Sequence, residues 1–265
     1  IEQNPKVLNL NLHKSKRTTL KRDLSASVND LGDGVLNVQF HSILQPTLNP
    51  IDGSYIEMIN HALDLIDNGE YDSMVLGHQG PNFCAGANLN LILELCQNQM
   101  WDELDLAVKT LQDTTQRIRF SKGPVVAAPF QLTLGGGVEI VQPAAHRVAA
   151  SETYMGLVEV GVGLIPGGGG NLRMILNAMD SGTGRMGAFQ KIQKTFETVG
   201  FAKVATSADE AKHFGYLSKD DTIVLNRDHL LQTAKEKAIE LADGYEPPQY
   251  RDELKLPSAG GRTAM

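Results

Sequence analysis

The pattern of apolar positions along the chain changes near Gly34. Residues 1–30 contain few apolar side chains at regular spacing, so this stretch is predicted to be a linker or arm. Several basic residues lie close together there, and they fit either a solvated tether or an arm that contacts phosphate. These basic residues are Lys14, Lys16, Arg17, Lys21 and Arg22.

From Gly34 onward, short apolar runs alternate with stretches of helical periodicity, which is typical of an α/β fold. The pattern predicts strands at 35–40, 74–76, 125–128 and 146–150, and helices at 56–66, 89–95, 101–118 and 172–179. We therefore divide the rest of the chain into a core at 31–205, a mainly helical part at 206–250 and a loose tail at 251–265.

Composition narrows the class of protein. The 265 residues are 42% hydrophobic and 21% charged, as in an ordinary globular protein. No apolar run approaches the roughly 20 residues of a membrane-spanning helix, and no secretory signal is visible. The net charge of −7 argues against binding of nucleic acid or membrane by the whole surface. Two cysteines outside any CxxC pair favour a reducing compartment, and we expect the cytoplasm. Because the chain opens at Ile1, we also expect a fragment, a processed product or a trimmed chain.

The first candidate for chemistry is the glycine-rich start of a predicted helix at 134–141. Its glycines leave backbone N–H groups free at the positive end of the helix dipole, where a phosphate or a developing oxyanion binds. Glu139 lies one turn along among apolar neighbours, and burial would raise the pKa of its carboxyl group into the range for acid–base work. The alternative is a tight glycine turn with a partly exposed Glu139.

A second isolated carboxylate, Glu159, lies in the apolar stretch before the glycine run 166–170. The alternative there is a flexible loop with Glu159 on a polar face. The two glutamates form one two-carboxylate site if the fold brings them together. A third segment, 82–88, lies between a predicted strand and a predicted helix, and it either presents another backbone N–H or is a plain turn.

Other kinds of site find little support. The GxGxxG at 182–187 follows a predicted helix instead of a strand, so an inter-helix loop is the better interpretation. Neither a P-loop, nor HExxH, nor a GxSxG elbow occurs, and no metal ligand set can be assembled from the scattered histidines. Cys84 has apolar flanks and is predicted to be an inert core residue.

Three motifs together resemble the crotonase (enoyl-CoA hydratase/isomerase) superfamily: 83–88, 135–139, and Glu159 through 166–167. The resemblance runs from about residue 34 to 214. It implies the crotonase (ClpP/crotonase-like) α/β fold, with repeated β-β-α turns and a helical C-terminal part. The stretch 152–166 is similar to the hydratase region of bacterial multifunctional fatty-acid oxidation proteins, in which a 3-hydroxyacyl-CoA dehydrogenase part precedes the hydratase.

The resemblance implies an enoyl-CoA hydratase that adds water to trans-2-enoyl-CoA, giving 3-hydroxyacyl-CoA in β-oxidation. Glu139 and Glu159 would be catalytic, and the N–H groups of Ala87 and Gly136 would hold the thioester oxygen. The same motifs imply substrate-binding roles for Ala85, Gly86, Gly135, Pro166 and Gly167. No metal and no separate cofactor are expected, since coenzyme A is part of the substrate. A homo-trimer or hexamer is expected, linked in the parent protein to a dehydrogenase region.

The chain departs from the family where coenzyme A packs. Residues 42–49 lack the usual basic residue, and Asn88 replaces the usual Asp. Basic residues elsewhere would then have to meet the phosphates, with Lys191, Lys194 and Lys203 as candidates. The acyl chain is expected to be lined from 91–111. Two alternatives remain open: an enoyl-CoA isomerase on the same fold, and a non-catalytic acyl-CoA-binding module.

Overall fold

The structure is a computed structural model that describes residues 6–15, 18–181, 187–251 and 256. This part of the chain contains nine strands and nine α-helices. The strands are β1 (Thr19–Arg22), β2 (Ala26–Asp30), β3 (Val35–Phe40), β4 (Ser73–Leu76), β5 (Val125–Ala127), β6 (Gln131–Leu134), β7 (His146–Ala150), β8 (Thr153–Gly156) and β9 (Thr222–Val224). The helices are α1 (Leu10–Ser15), α2 (Gly53–Asp67), α3 (Leu89–Gln97), α4 (Trp101–Arg119), α5 (Gly136–Val141), α6 (Gly170–Asp180), α7 (Ala188–Gly200), α8 (Ala208–Phe214) and α9 (Leu230–Ala242).

Seven strands form the main sheet, in the order β1-β2-β3-β4-β5-β7-β9. The first two pairs are antiparallel, and the strands from β3 onward are parallel, with Val38 opposite Leu76 and Val75 opposite Val126. A second sheet consists of β6 and β8, which are also parallel. Helices α2 and α9 pack against strands of the main sheet.

The crossovers give the repeated β-β-α turns that the resemblance implied. β5 joins the main sheet, β6 joins the small sheet and α5 follows; β7, β8 and α6 repeat the same order. β4 begins an earlier turn, in which Cys84 forms an isolated bridge to Thr133 of β6 before α3 starts. The second strand of each turn therefore belongs to the small sheet or contacts it, and the helix that follows begins beside that sheet.

Helix α2 illustrates why the apolar spacing predicted the elements correctly. Its buried side chains recur at intervals of three and one, so they share one face of the helix. Asp52 caps its first turn by accepting the Tyr55 N–H at 3.0 Å. The other predicted strands and helices of the core are present, with bounds that differ by a few residues.

The prediction of a linker over residues 1–30 was wrong for residues 19–30, which form β1 and β2 of the main sheet. Leu8 and Leu10 are also buried, and the Leu10 N–H donates to the Gln79 side chain at 2.9 Å. Residues 206–250 are mainly helical as predicted, but β9, which was not predicted, pairs with β7. Most of the predicted tail at 251–265 lies outside the described residues.

Candidate functional site

Two backbone N–H groups without acceptors meet where the β-β-α turns converge. Neither Ala87 nor Gly136 donates its N–H to any atom in the part of the chain that the structure describes. A Cβ added to Gly136 would lie 3.6 Å from the Ala87 nitrogen, so the two amides are neighbours. Gly86 and Gly135, just before them, have φ angles of +93° and +53°, which glycine adopts readily. The pair has the composition of an oxyanion hole.

Backbone pairing with β6 fixes the first of these amides. The Cys84 N–H donates to the Leu132 carbonyl at 3.0 Å, and the Leu134 N–H donates back to the Cys84 carbonyl at 2.9 Å. A Cβ on Gly137 would lie 2.5 Å from that Cys84 carbonyl oxygen, so only glycine fits there. The triple glycine therefore lets the start of α5 pack directly against the segment 83–87.

Glu139 projects from the first turn of α5 and is 4% exposed. Its Oε1 accepts the Gly170 N–H at 2.8 Å. Burial raises the pKa of Glu139, and the N–H groups of 168–170 partly oppose that rise because they favour the ionised form. Added Cβ atoms on Gly168 and Gly170 would lie 2.8 Å and 3.1 Å from its oxygens. The glycine run thus encloses this carboxylate with backbone.

Glu159 opens a single 3₁₀ turn, Glu159–Val162, directly after β8. Burial raises its pKa to about 7, and the nearby charge of Glu139 contributes to the rise. Its Oε2 is buried without a hydrogen-bond partner among the described residues. A Cβ on Gly135 would lie 3.2 Å from its Oε1, which places the second carboxylate beside the oxyanion-hole backbone.

The structure therefore brings together the four residues that sequence motifs singled out: Glu139, Glu159, Ala87 and Gly136. The two carboxyl groups have different surroundings. Burial raises the pKa of both groups, and backbone N–H groups oppose the rise at both. Glu139 Oε1 accepts a hydrogen bond from Gly170, whereas Glu159 Oε2 is buried with no hydrogen-bond partner among the described residues. Two N–H groups can polarise a bound carbonyl. A proton acceptor and a proton donor beside them can then remove a proton from, or add one to, an atom next to that carbonyl.

The five residues assigned to substrate binding each have a backbone group that is already hydrogen-bonded. Ala85 donates to Leu48, Gly86 accepts from Ile51, Gly135 donates to Gly156, Pro166 accepts from Asn171 and Gly167 accepts from Gln112. These bonds hold the backbone of the five residues in place. Contact of the five residues with substrate stays a prediction.

Two residues of α4 were missed by the sequence analysis. Thr115 Oγ1 donates to the Gly168 carbonyl at 2.8 Å, and Gln112 Nε2 donates to the Gly167 carbonyl at 2.7 Å. They attach the glycine run to the helix, which indirectly holds Glu139. The only signal in the sequence was the glycine run itself, since neither polar residue belongs to a motif.

The region expected to line the acyl chain contains α3 and most of α4. Leu111 is half-buried, and its Cδ2 lies 2.7 Å from the Cβ position of Gly168, so α4 reaches the site. Large apolar side chains of these two helices are exposed, among them Leu91, Leu93, Trp101 and Leu106. Asn88, the departure from the family pattern, caps α3 by accepting the Asn90 and Leu91 N–H groups.

Other residues singled out from the sequence are three lysines, one cysteine and the GxGxxG. Lys191 donates to carbonyls at the end of α6, and Lys194 donates to the His213 carbonyl. A phosphate-binding role for these two, or for Lys203, stays a prediction. Cys84 is fully buried, which raises its pKa to about 12, as expected of an inert thiol. Most of the GxGxxG, residues 182–186, lies outside the described residues.

In the part of the chain that the structure describes, no group of three or more His, Cys, Asp or Glu side chains could hold a metal ion. None of the helices described has the length and apolar character needed to cross a membrane.

Comparison with known proteins identifies the family. The profile of the family named "Enoyl-CoA hydratase/isomerase" matches residues 44–248. The crystal structure of an enoyl-CoA hydratase from Bacillus anthracis superposes with a TM-score of 0.63 at 26% identity, covering 83% of this chain and 76% of that one. A "Probable enoyl-CoA hydratase" of Bacillus subtilis (strain 168) is 26% identical over 71% of this chain and 70% of its own length.

A second relative from the same organism is longer. It is named "Probable 3-hydroxyacyl-CoA dehydrogenase" and is 43% identical over 100% of this chain. The chain spans only 33% of that relative's length. The profile match, the similar structures and the converging motifs agree: this chain belongs to the enoyl-CoA hydratase/isomerase family, the crotonase superfamily.

Proposed function

We propose that the chain hydrates trans-2-enoyl-CoA to 3-hydroxyacyl-CoA. The observation that carries this proposal is the unequal pair of carboxyl groups beside two N–H donors that have no acceptor in the described part of the chain. Hydration of a conjugated thioester needs a base for water, an acid for C2 and stabilisation of the charge that develops on the thioester oxygen. Two carboxyl groups and two N–H donors, the kinds of group that this reaction needs, lie together among the described residues, which supports the proposal.

In the proposed reaction, Glu139 as carboxylate takes a proton from water while the water oxygen bonds to C3. The electron pair of the double bond moves toward the thioester, and the oxygen gains negative charge. The N–H groups of Ala87 and Gly136 stabilise that charge, each by roughly 3–4 kcal/mol. Glu159 in its protonated form then delivers a proton to C2. Transfer of one proton from Glu139 to Glu159 restores the starting state.

The product class suggests a place in fatty-acid β-oxidation. A 3-hydroxyacyl-CoA is what a 3-hydroxyacyl-CoA dehydrogenase acts on, and the long Bacillus subtilis relative carries that name. We propose that the chain works next to such a dehydrogenase region. Assembly into a trimer or hexamer stays a prediction, which size-exclusion chromatography with light scattering would check.

The test is loss of the conjugated enoyl-thioester absorbance with trans-2-butenoyl-CoA and trans-2-decenoyl-CoA. Glu139→Gln and Glu159→Gln should each lower kcat by about 100-fold or more. Glu152→Gln is the matched control, because this exposed glutamate lies at the opposite end of β8 from Glu159 and the same change should leave kcat unaltered. Mass spectrometry should show a product heavier by one water.

The same assay separates the alternatives. An isomerase would leave trans-2-enoyl-CoA unhydrated and would increase the absorbance when given a 3-enoyl-CoA. A binding module would bind acyl-CoA saturably and leave both substrates unchanged. Either result from folded protein would refute the hydratase proposal.

A further inference from the structure

A buried histidine contacts the start of the segment that leads to Ala87, and the proposed mechanism does not use it. His78 follows β4, is 2% exposed, and contacts three aromatic rings, those of Phe40, Phe83 and Phe130. A polar ring in such surroundings is costly unless its nitrogens are hydrogen-bonded. The hydrogen bonds of the His78 ring therefore identify the backbone groups that it holds in place.

Both ring nitrogens bond to backbone. Nδ1 accepts the Gly80 N–H at 3.1 Å, so the ring proton lies on Nε2, which donates to the Phe83 carbonyl at 2.9 Å. Burial lowers the pKa of His78 to about 4, which keeps the ring neutral near pH 7. Asn49 Nδ2 donates to the same Phe83 carbonyl at 3.0 Å. Two buried donors thus bind one carbonyl oxygen.

That carbonyl begins the segment 83–87, which ends in the Ala87 N–H. The loop that carries Asn49 holds this segment at two further points: the Ala85 N–H donates to the Leu48 carbonyl, and the Ile51 N–H donates to the Gly86 carbonyl, both at 2.8 Å. The Gly86 carbonyl and the Ala87 N–H belong to one planar peptide. The position of the Gly86 carbonyl therefore sets the direction of the Ala87 N–H.

We propose that His78 is a positioning residue for the reaction. With Asn49 it clamps the Phe83 carbonyl, and the clamp keeps the 48–51 loop and the 83–87 segment in the register that aims the Ala87 N–H at the thioester oxygen. This inference rests on the proposed function, since it assigns a task to a part of the same site.

The test uses a readout that needs no turnover. A cinnamoyl-CoA thioester with a para-dimethylamino group absorbs at longer wavelength when its carbonyl is polarised by an oxyanion hole. His78→Phe keeps a ring in the aromatic cluster and removes both nitrogens. We expect a smaller red shift of the bound probe, a kcat for trans-2-butenoyl-CoA lower by roughly 10- to 100-fold, and a KM within about twofold of wild type. His78→Gln supplies an amide N–H toward Phe83 and should recover most of the shift and of kcat.

Two further variants separate positioning from a general loss of stability. Val148→Ala removes buried volume from β7, away from Phe83, and should lower the melting temperature without changing the red shift. Asn49→Gly removes the second donor at a residue with φ of +49°, which glycine accommodates, so it carries the test if His78→Phe fails to fold. It should also reduce the shift.

The outcomes distinguish this inference from the proposed function. If wild type binds the probe without a red shift, the oxyanion hole, and with it the proposed function, is refuted. If wild type shows the shift and both His78→Phe and Asn49→Gly retain it together with kcat, only the positioning role is refuted.

Discussion

Glu139 accepts the Gly170 N–H at 2.8 Å, and this bond sets it apart from the second glutamate of the site. An N–H donor stabilises the Glu139 carboxylate, while burial of Glu159 Oε2, which has no hydrogen-bond partner among the described residues, favours the protonated form of Glu159. Each group therefore begins the proposed cycle in the state that its task needs. The proposed assignment of Glu139 as base and Glu159 as acid rests on these surroundings.

The pH dependence of kcat should report both groups. In the proposed mechanism protonated Glu159 is the active form, and because burial raises its pKa to about 7, kcat should fall as the pH rises above about 7. Ionised Glu139 is required, and its pKa is also raised, so the acid limb should lie above the usual carboxyl range. Initial rates with trans-2-butenoyl-CoA from about pH 5 to 9 measure this bell-shaped pH dependence of kcat. A flat profile between pH 6 and 8 would contradict these roles.

Glu159→Gln should increase stability at high pH while it removes activity. The folded state holds the Glu159 proton more tightly than the unfolded state, so wild type loses stability as the pH rises from the ordinary carboxyl range through about 7. Glutamine has no such proton to lose. We expect the variant to melt a few degrees above wild type near pH 8 and close to it near pH 5, by differential scanning calorimetry. Equal differences at both pH values would count against a buried acid.

Gly168→Ala should displace the carboxylate of Glu139, the proposed base, without changing its chemical identity. The new methyl would lie 2.8 Å from Glu139 Oε2 and 2.7 Å from Leu111 Cδ2, so the carboxylate has to move. We expect kcat to fall by roughly 10- to 100-fold with a modest change in KM. Gly53→Ala is the control, because nothing lies within 4 Å of the added methyl there. Unchanged kcat in Gly168→Ala would show that the site tolerates displacement of Glu139.

Gly136→Ala should separate stability from catalysis. The methyl would lie 2.9 Å from Ile51 Cδ1 and 3.6 Å from the Ala87 nitrogen, next to the two N–H groups that are proposed to bind the thioester oxygen. We expect kcat/KM to fall by about 100-fold or more, together with a lower melting temperature. Adding Ile51→Val removes the first contact only. The double variant should therefore regain stability and stay inactive, and recovery of activity would place the oxyanion elsewhere.

Much of the fold could be predicted from apolar spacing, and the failure at residues 19–30 has a physical cause. β1 is an edge strand with charged side chains, such as Lys21, whose Nζ binds Glu57 at 2.7 Å. β2 is buried but contains Ser27 and Asn29, and the Asn29 side chain donates to Asn37 at 3.3 Å. In β2, buried polar side chains that hydrogen-bond to one another interrupt the apolar periodicity by which a strand is predicted. In β1, charged side chains protect an exposed sheet edge from pairing with another chain.

The candidate site was predictable to the extent that it depends on motifs. Isolated glutamates beside glycines suggested Glu139 and Glu159, and the resemblance supplied Ala87 and Gly136. Their convergence depends on the pairing of separate strands, which no local pattern encodes. His78 and Thr115 act through single backbone carbonyls, and one hydrogen bond between distant segments leaves no period in the sequence.

The attachment of the glycine run to α4 has a consequence for how such a site can change. Residues 167–170 have no side chains of their own, so their position is set from outside, by Gln112 and Thr115. The helix that carries these two residues also belongs to the region expected to meet the acyl chain. Substitutions on α4 can therefore retune substrate range and the placement of Glu139 together, while every catalytic residue stays the same.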